Sequence, residues 1–276
     1  MFCHLVAMPL IVQRKYFGKF SYFCTMAWFE TWFDTPYYHI LYNDRNFDEA
    51  EHFINLLVKE LQLSPPAKII DLACGKGRHS IFLNKMGFEV LGVDLSKQSI
   101  LHNKEFENPT LTFDVHDMRN PIIPNVSAEK VDAVFNLFTS FGYFEDPEDD
   151  KKVFRSISES LNAGGFFVLD FLNAKWVEST LIPEEKFAKG GIDFHIKKKI
   201  EDEHVIKDIL FTQKGKEFHF FEKVKLHTLE KIGEYAEEFG FERTAVFGDY
   251  YLNDFEEHTS PRCINVFKKK NNFNGN

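Results

Sequence analysis

Three carboxylates and two glycines stand at spacings suited to holding a ligand. Asp71 ends an apolar run and leads into Gly75 and Gly77 within "IIDLACGKGRHS" (69–80); Asp94 ends the next apolar run 23 residues on; Asp117 and Met118 end a third, "FDVHDMRN" (113–120). Glycines let a backbone approach a ligand closely. A helix that starts just after them offers unpaired N–H groups. A carboxylate closing the following strand suits both hydroxyls of a ribose. The set points to a nucleotide-like ligand. The dinucleotide fingerprint asks for G-x-G-x-x-G or a final alanine. Here the third position is Ser80, and an acid four residues before the first glycine is foreign to that fingerprint.

These residues need strands that end together and helices that start together. "FDEAEHFINLLVKEL" (47–61) has apolar residues at helical spacing, and "SPP" (64–66) stops it. "AKIIDLA" reads as a buried strand, "RHSIFLNKMG" as a helix closed by Gly87, and "FEVLGVDLS" as a second strand, after which Ser96 can cap "KQSILHNKEFE". "LTFDVHD" and "KVDAVFNLF" are the third and fourth strands. "PEDDKKVFRSISESLNAGG" is a helix with early acids and a glycine stop, and "GFFVLDFL" is the fifth strand. This alternation predicts an α/β fold: a Rossmann-like, doubly wound, mostly parallel sheet with helices on both faces. In an open sheet of that kind, ligands lie outside the carboxyl ends of the strands, where the glycine turn falls.

After residue 190 the pattern alternates in twos. "IDFHIKKKI", "HVIKDILFTQ" and "KEFHFFEKVKL" predict antiparallel strands, with Lys214 and Gly215 as a hairpin turn and Lys197, Lys198 and Lys199 on a solvated strand edge. "TLEKIGEYAEEFG" returns to helix; "ERTAVFGDY" and "CINVFKK" are final strands. The expected organisation is an extension over 1–25, a cofactor-binding core over 26–175, an antiparallel β subdomain inserted after strand five over 176–226, a return to the core over 227–268, and a disordered tail over 269–276. Residues 1–25 contain no acid, and their basic residues follow the apolar run instead of preceding it, unlike a signal peptide. Met26 is read as the natural start and residues 1–25 as an upstream extension, the alternative being a loosely tethered arm.

Composition narrows the function. A net charge of −9 opposes a general nucleic-acid binder. No apolar run reaches the roughly 18 residues of a membrane span. Cys3, Cys24, Cys74 and Cys263 form no C-x-x-C pair and read as reduced cytoplasmic thiols. The 11 histidines show no ligand spacing, so no metal site is expected. No motif sets the oligomeric state.

G-x-G turns with an acid on the next strand are shared by NAD, FAD and S-adenosylmethionine binders. Taken together, "D-x-A-C-G-x-G", Asp94, the Asp117–Met118 pair and "AVFNLFTSFGYF" resemble class I S-adenosylmethionine-dependent methyltransferases. The likeness covers roughly residues 37–175 and continues more loosely to 268. It is strongest to glycine N-methyltransferase and the deoxyamino-sugar N-methyltransferases, through "LY-x-x-R" (Leu41, Tyr42, Arg45), "D-M-R" (117–119) and "F-x-S-x-G-Y" (Phe138, Ser140, Gly142, Tyr143). "NLFTSFGYF" is not the N-P-P-Y of enzymes that methylate nucleobases or glutamine, and "WFETWFDTPYY" (28–38) is not explained by the likeness.

The resemblance implies that S-adenosyl-L-methionine is the cofactor. It implies that Tyr42 and Arg45 grip its carboxylate, that Ala73, Gly75 and Gly77 form its turn, and that Asp94 with Leu95 receives the ribose. Asp117 and Met118 would flank adenine, and Asn136 would complete the cofactor set. Asp71 either accepts backbone N–H groups of the turn or reaches the methionine amino group. Phe138 and Tyr143 are expected to wall the methyl-transfer site, and His116 is the one histidine placed to act as a base. The implied partner is a small-molecule acceptor, methylated at nitrogen, with the insert covering the pocket and the aromatic head closing the other side. The rival readings are an NAD-dependent oxidoreductase and a non-catalytic binder of the same cofactor.

Overall fold

The computed structural model describes residues 27–42 and 47–271. The readings of residues 1–25, of Arg45 and of the last five residues of the tail therefore lie outside the described residues.

The core is a seven-stranded sheet. Its parallel strands are β1 (Lys68–Leu72), β2 (Glu89–Asp94), β3 (Leu111–Val115), β4 (Val131–Asn136) and β5 (Leu161–Leu172); β10 (Phe241–Phe247) and β11 (Arg262–Lys269) add antiparallel pairings, in the order β10-β11-β5-β4-β1-β2-β3. The central strands β1, β4 and β5 are largely buried on both faces, and their successive residues feed opposite layers, whereas the edge strand β3 exposes Thr112 and Asp114. Ile70, Val134, Phe167 and Leu169 pack with α6 (Pro147–Ser160) and α8 (Leu229–Glu238). Ile69, Ala133, Phe135 and Val168 pack with α3 (Phe47–Glu60), α4 (Arg78–Lys85) and α5 (Lys97–Asn103). This is the doubly wound arrangement that continuous apolar strands require. Strand order reverses between β1 and β4, which opens a crevice at their carboxyl ends.

Local chemistry sets the helix starts. The Ser96 hydroxyl accepts the Ser99 N–H at 3.1 Å and caps α5, Thr228 does the same for α8 through Lys231, and Asp146 caps α6. The anticipated glycine stop of α6 is not where the helix ends. It ends at Ser160, and Leu161, fully buried, already pairs with Val131 as the first residue of β5. Sheet pairing and burial of Leu161 outweigh the helical pattern there.

After β5 the chain runs through α7 (Ala174–Thr180) into a separate antiparallel sheet of β6 (Glu184–Lys189), β7 (Ile192–Glu201), β8 (His204–Gln213) and β9 (Lys216–Lys225). Lys214 and Gly215 both take positive φ, +50° and +73°, and make the two-residue hairpin between β8 and β9. Strand β6 was not legible, because its "EEKFAK" is largely exposed and lacks an apolar alternation. It pairs with β7 from Ile192 to Lys197, and Lys198 N–H reaches the Pro183 carbonyl, so Lys197 and Lys198 are bonded on both sides and only Lys199 is left at an open edge.

The aromatic head folds as α1 (Trp28–Trp32) and α2 (Pro36–Leu41). It does not close the side opposite the insert. Trp32 and Leu41 share one core with Ile192, Phe194, Ile196, Ile209 and Phe211, so the head is built onto the inserted sheet. The Trp32 and Phe220 rings are 4.6 Å apart, and Trp32 Nε1 donates to Glu222 at 2.8 Å.

Candidate active site

The glycine turn is fixed from both sides. Asp71, at the end of β1, is buried, and its Oδ2 accepts the Ser80 hydroxyl at 2.6 Å. Ser80 also donates its backbone N–H to this carboxylate. The α4 N-cap is Gly77, which has no side chain to cap with, so the strand-end acid fills that role. Of the two roles anticipated for Asp71, supporting the turn is the one its contacts show. Burial pushes its pKa up to about 6, against the lowering effect of the Ser80 hydrogen bonds.

The two glycines do different work. Gly77 has φ +72°, and a Cβ there would lie 2.9 Å from the Phe113 ring. It serves packing and does not line the cleft. Gly75 has φ +54°, and a Cβ would meet nothing within 4 Å. The turn therefore opens onto free space at Gly75, and Ala73 beside it also takes a left-handed φ of +61°.

Asp94 closes β2 facing the same space. Its Oδ2 accepts the Gly75 N–H and its Oδ1 the Ser96 N–H, each at 2.8 Å. A carboxylate offers about four acceptor positions, so acceptor capacity remains for a ligand hydroxyl. Burial raises its pKa, and the backbone donors only partly offset this. Asp34, from the head, accepts from the Ser96 hydroxyl at 2.7 Å and the Gln98 N–H at 3.1 Å, which ties the head to the start of α5.

Asp117 is gripped by Arg119, whose Nε lies 3.0 Å from Oδ1 and whose Nη2 lies 2.5 Å from Oδ2. Burial alone would raise the Asp117 pKa; the Arg119 hydrogen bonds outweigh it and hold the carboxylate below its usual range. His116 gives one ring nitrogen to the Asn120 carbonyl at 3.0 Å. Burial, then nearby Lys76, lowers His39 to about 4, so this cleft-lining imidazole is neutral at neutral pH.

Ala73, Gly75, Asp94, Leu95, His116, Asp117, Met118, Phe138, Tyr143 and Tyr42 all border one cavity of about 1090 Å3. Asn136 does not. It is buried, and its Nδ2 donates to the Leu72 carbonyl at 3.0 Å, bridging β4 to β1 beneath the crevice. That contact is a supporting one within the sheet. The Tyr42 hydroxyl donates to Glu222 Oε1 at 2.7 Å and accepts from Lys207 Nζ at 2.5 Å. It fastens head to insert, and that donor is not directed at a ligand carboxylate.

The far wall is aromatic. Trp28 and Phe33 meet Tyr143 at centroid distances of 5.2 and 5.4 Å. Phe138 stacks with His79 at 5.2 Å and with Tyr250 at 4.9 Å, and the Arg78 guanidinium lies 4.1 Å over its ring. The roof comes from the insert, with Lys198, Lys207 and Glu222 reaching the cavity. Sequence reading missed Tyr250, Arg262, Lys207, Glu222 and Asp34. The first four border the cavity through strand pairing or loop closure far along the chain, Asp34 braces the start of α5 through Ser96, and no local spacing signals any of them. Cys74 and Cys263 are buried without a disulfide, and no cluster of metal ligands occurs among the described residues. No described helix is long and apolar enough to cross a membrane.

Residues 69–165 match a family model described as a methyltransferase domain. The chain is 32% identical to the glycine/sarcosine N-methyltransferase of Aphanothece halophytica over 138 residues, 49% of this chain and 49% of that protein. It is 25% identical to the dTDP-3-amino-3,4,6-trideoxy-alpha-D-glucopyranose N,N-dimethyltransferase of Streptomyces venezuelae, over 73% of this chain and 86% of that one. The match thus spans about half the length of the first of these curated relatives. An S-adenosylmethionine-dependent methyltransferase from Clostridium acetobutylicum ATCC 824 superposes with a TM-score of 0.71 at 21% identity, over 85% of this chain and 96% of that one. At that identity the likeness speaks for the fold, and the expected Rossmann-like fold and family resemblance are borne out.

Proposed function

We propose that this protein transfers a methyl group from S-adenosylmethionine to a small acceptor, at an amine nitrogen, by in-line displacement. The observation that carries this reading is the convergence of the Gly75 turn, Asp94 and the Asp117–Met118 pair on one cavity that continues into an aromatic chamber. The volume exceeds the usual single-ligand pocket of roughly 300–1,000 Å3 and has room for a cofactor and an acceptor together. Two N-methyltransferases among the relatives support nitrogen as the methylated atom.

The residues fit the cofactor. Gly75 leaves clear space for close backbone approach, Asp94 has acceptor capacity for ribose hydroxyls, and Asp117 and Met118, which border the same cavity, would flank the adenine. S-Adenosylmethionine supplies an electrophilic methyl on a sulfonium. The protein's task is alignment, which can provide much of the barrier reduction. Trp28, Phe33, Phe138 and Tyr143 give the chamber an apolar wall and ring faces suited to a cation. A general base is not required, because an amine can lose its proton to water before it binds. His116 remains the candidate if one is used. The unpaired buried thiols of Cys74 and Cys263 support a reducing compartment, the cytoplasm.

The test is calorimetric titration of S-adenosylhomocysteine and, separately, NAD. Binding of S-adenosylhomocysteine alone supports the proposal, and binding of NAD alone moves the reading to an oxidoreductase. A labelled-methyl screen of small amines then separates an enzyme from a silent binder.

A further inference from the structure

The loop over the cleft between β4 and α6 holds an unusual backbone. Phe138 and Thr139 are consecutive non-glycine residues with φ of +61° and +59°, and Gly142 follows at +80°. Such conformations are disfavoured for L-residues and persist only where surrounding contacts over-determine them. Thr139 is also β-branched, the poorest type for this region.

The contacts that impose it come from Asp170 on β5 and Arg262 on β11. Asp170 is fully buried. Its Oδ2 accepts the Phe138 N–H at 2.7 Å, and its backbone carbonyl accepts the Thr139 N–H at 3.0 Å. Its Oδ1 takes Arg262 Nε at 2.8 Å and Nη2 at 2.6 Å. The same Nη2 donates to Thr139 Oγ1 at 2.8 Å. The Tyr143 hydroxyl donates to the Thr139 carbonyl, and the Gly142 carbonyl accepts the Lys225 N–H at 2.8 Å where the insert returns. Phe138, Thr139, Tyr143 and Arg262 all border the cavity.

We propose that Asp170 and Arg262 are positioning residues for methyl transfer, which hold Phe138–Thr139 in the left-handed conformation and so set the wall that faces the reacting methyl. A buried ion pair is a costly way to anchor a loop, since desolvation offsets most of the attraction. Here it does something an apolar anchor cannot. One carboxylate and one guanidinium fix two adjacent strained residues through a backbone N–H and a side-chain hydroxyl at once. The proposal rests on the methyltransferase reading of the cleft.

The test compares Thr139→Val, which keeps shape and branching but removes the hydroxyl, with Thr139→Ser, which restores it, and adds Arg262→Lys, which keeps the charge but loses the fork. Calorimetry measures S-adenosylmethionine and S-adenosylhomocysteine separately, and hydrogen exchange follows the amides of residues 138 and 139. The expected result is about a tenfold loss of affinity for the sulfonium in Thr139→Val and Arg262→Lys, with the thioether within about threefold of wild type. Both amides should exchange faster in those variants, and Thr139→Ser should behave as wild type. Equal changes for the two ligands, or none, would overturn the positioning role while leaving the methyltransferase reading intact. A wild-type protein that binds neither ligand overturns both.

Discussion

Asp94, at the end of β2, holds the Gly75 amide in the turn after β1 with a 2.8 Å hydrogen bond from N–H to Oδ2. The residue expected to receive the ribose is thus also the one that shapes the turn. Replacing it removes a ligand contact and a scaffold together. Hydrogen bonds to charged groups contribute about 1.5–3 kcal/mol each. Asp94→Ala should weaken S-adenosylhomocysteine binding about 100-fold or more. Asp94→Asn should lose at least about tenfold, because its amide nitrogen cannot accept from either Gly75 or Ser96. Calorimetry on the two variants checks both values.

The two glycines of the turn should separate in their effects. Gly77→Ala combines a left-handed φ with a Cβ 2.9 Å from Phe113, so it should cost about 2–4 kcal/mol of stability in urea unfolding. Gly75→Ala meets no atom within 4 Å and should cost only the backbone part, about 1–2 kcal/mol. Its larger effect should be on ligand affinity, since the new methyl fills the side of the turn that opens on the cavity.

Asp71 predicts a pH dependence. Its folded pKa is raised by burial from 3.8 to about 6. Between those values the folded state binds the proton more tightly than the unfolded state, so this group's contribution to stability falls as pH rises from about 4 to about 6. Asp71→Asn carries no such charge. Its stability relative to wild type should therefore improve over that window, by about 3 kcal/mol at most, as two pKa units convert at about 1.4 kcal/mol each. Chemical denaturation of both proteins at pH 4.5 and 7.5, without ligand, reads the difference.

Much of this architecture was legible because it rests on local signals. Apolar runs ending in Asp71 and Asp94, the Ser96 cap and the Lys214–Gly215 hairpin are written in neighbouring residues and appear where expected. What was not legible is made by distant pairing. Asp170 and Arg262 meet because β5 and β11 are adjacent, and nothing near either residue announces it. Strand β6 has no apolar alternation because it is an exposed edge. Asn136 ends a strand just as Asp71 and Asp94 do, yet it turns beneath the crevice to hold Leu72. A strand-end position alone does not say which way a side chain will face.

The contact between head and insert gives a fourth prediction. Trp32 is almost fully buried against Phe220 and donates to Glu222. Trp32→Ala should destabilise this small core by about 3–5 kcal/mol. Limited proteolysis should then cut within residues 27–42 well before the seven-stranded core, while S-adenosylhomocysteine still binds through the glycine turn.

The head and the insert share one core although Trp32 and Glu222 are separated by 190 residues in the chain. On the ribosome, residues 28–42 leave the exit tunnel long before β9 has been translated. Trp28, Trp32, Phe33, Tyr37 and Tyr38 have no inserted sheet to pack against during that interval. Strands β1 to β5 can pair first, so the cavity is roofed only late in synthesis. Nascent chains stalled before β9 should carry a sticky aromatic N-terminal segment, a natural target for a holdase chaperone.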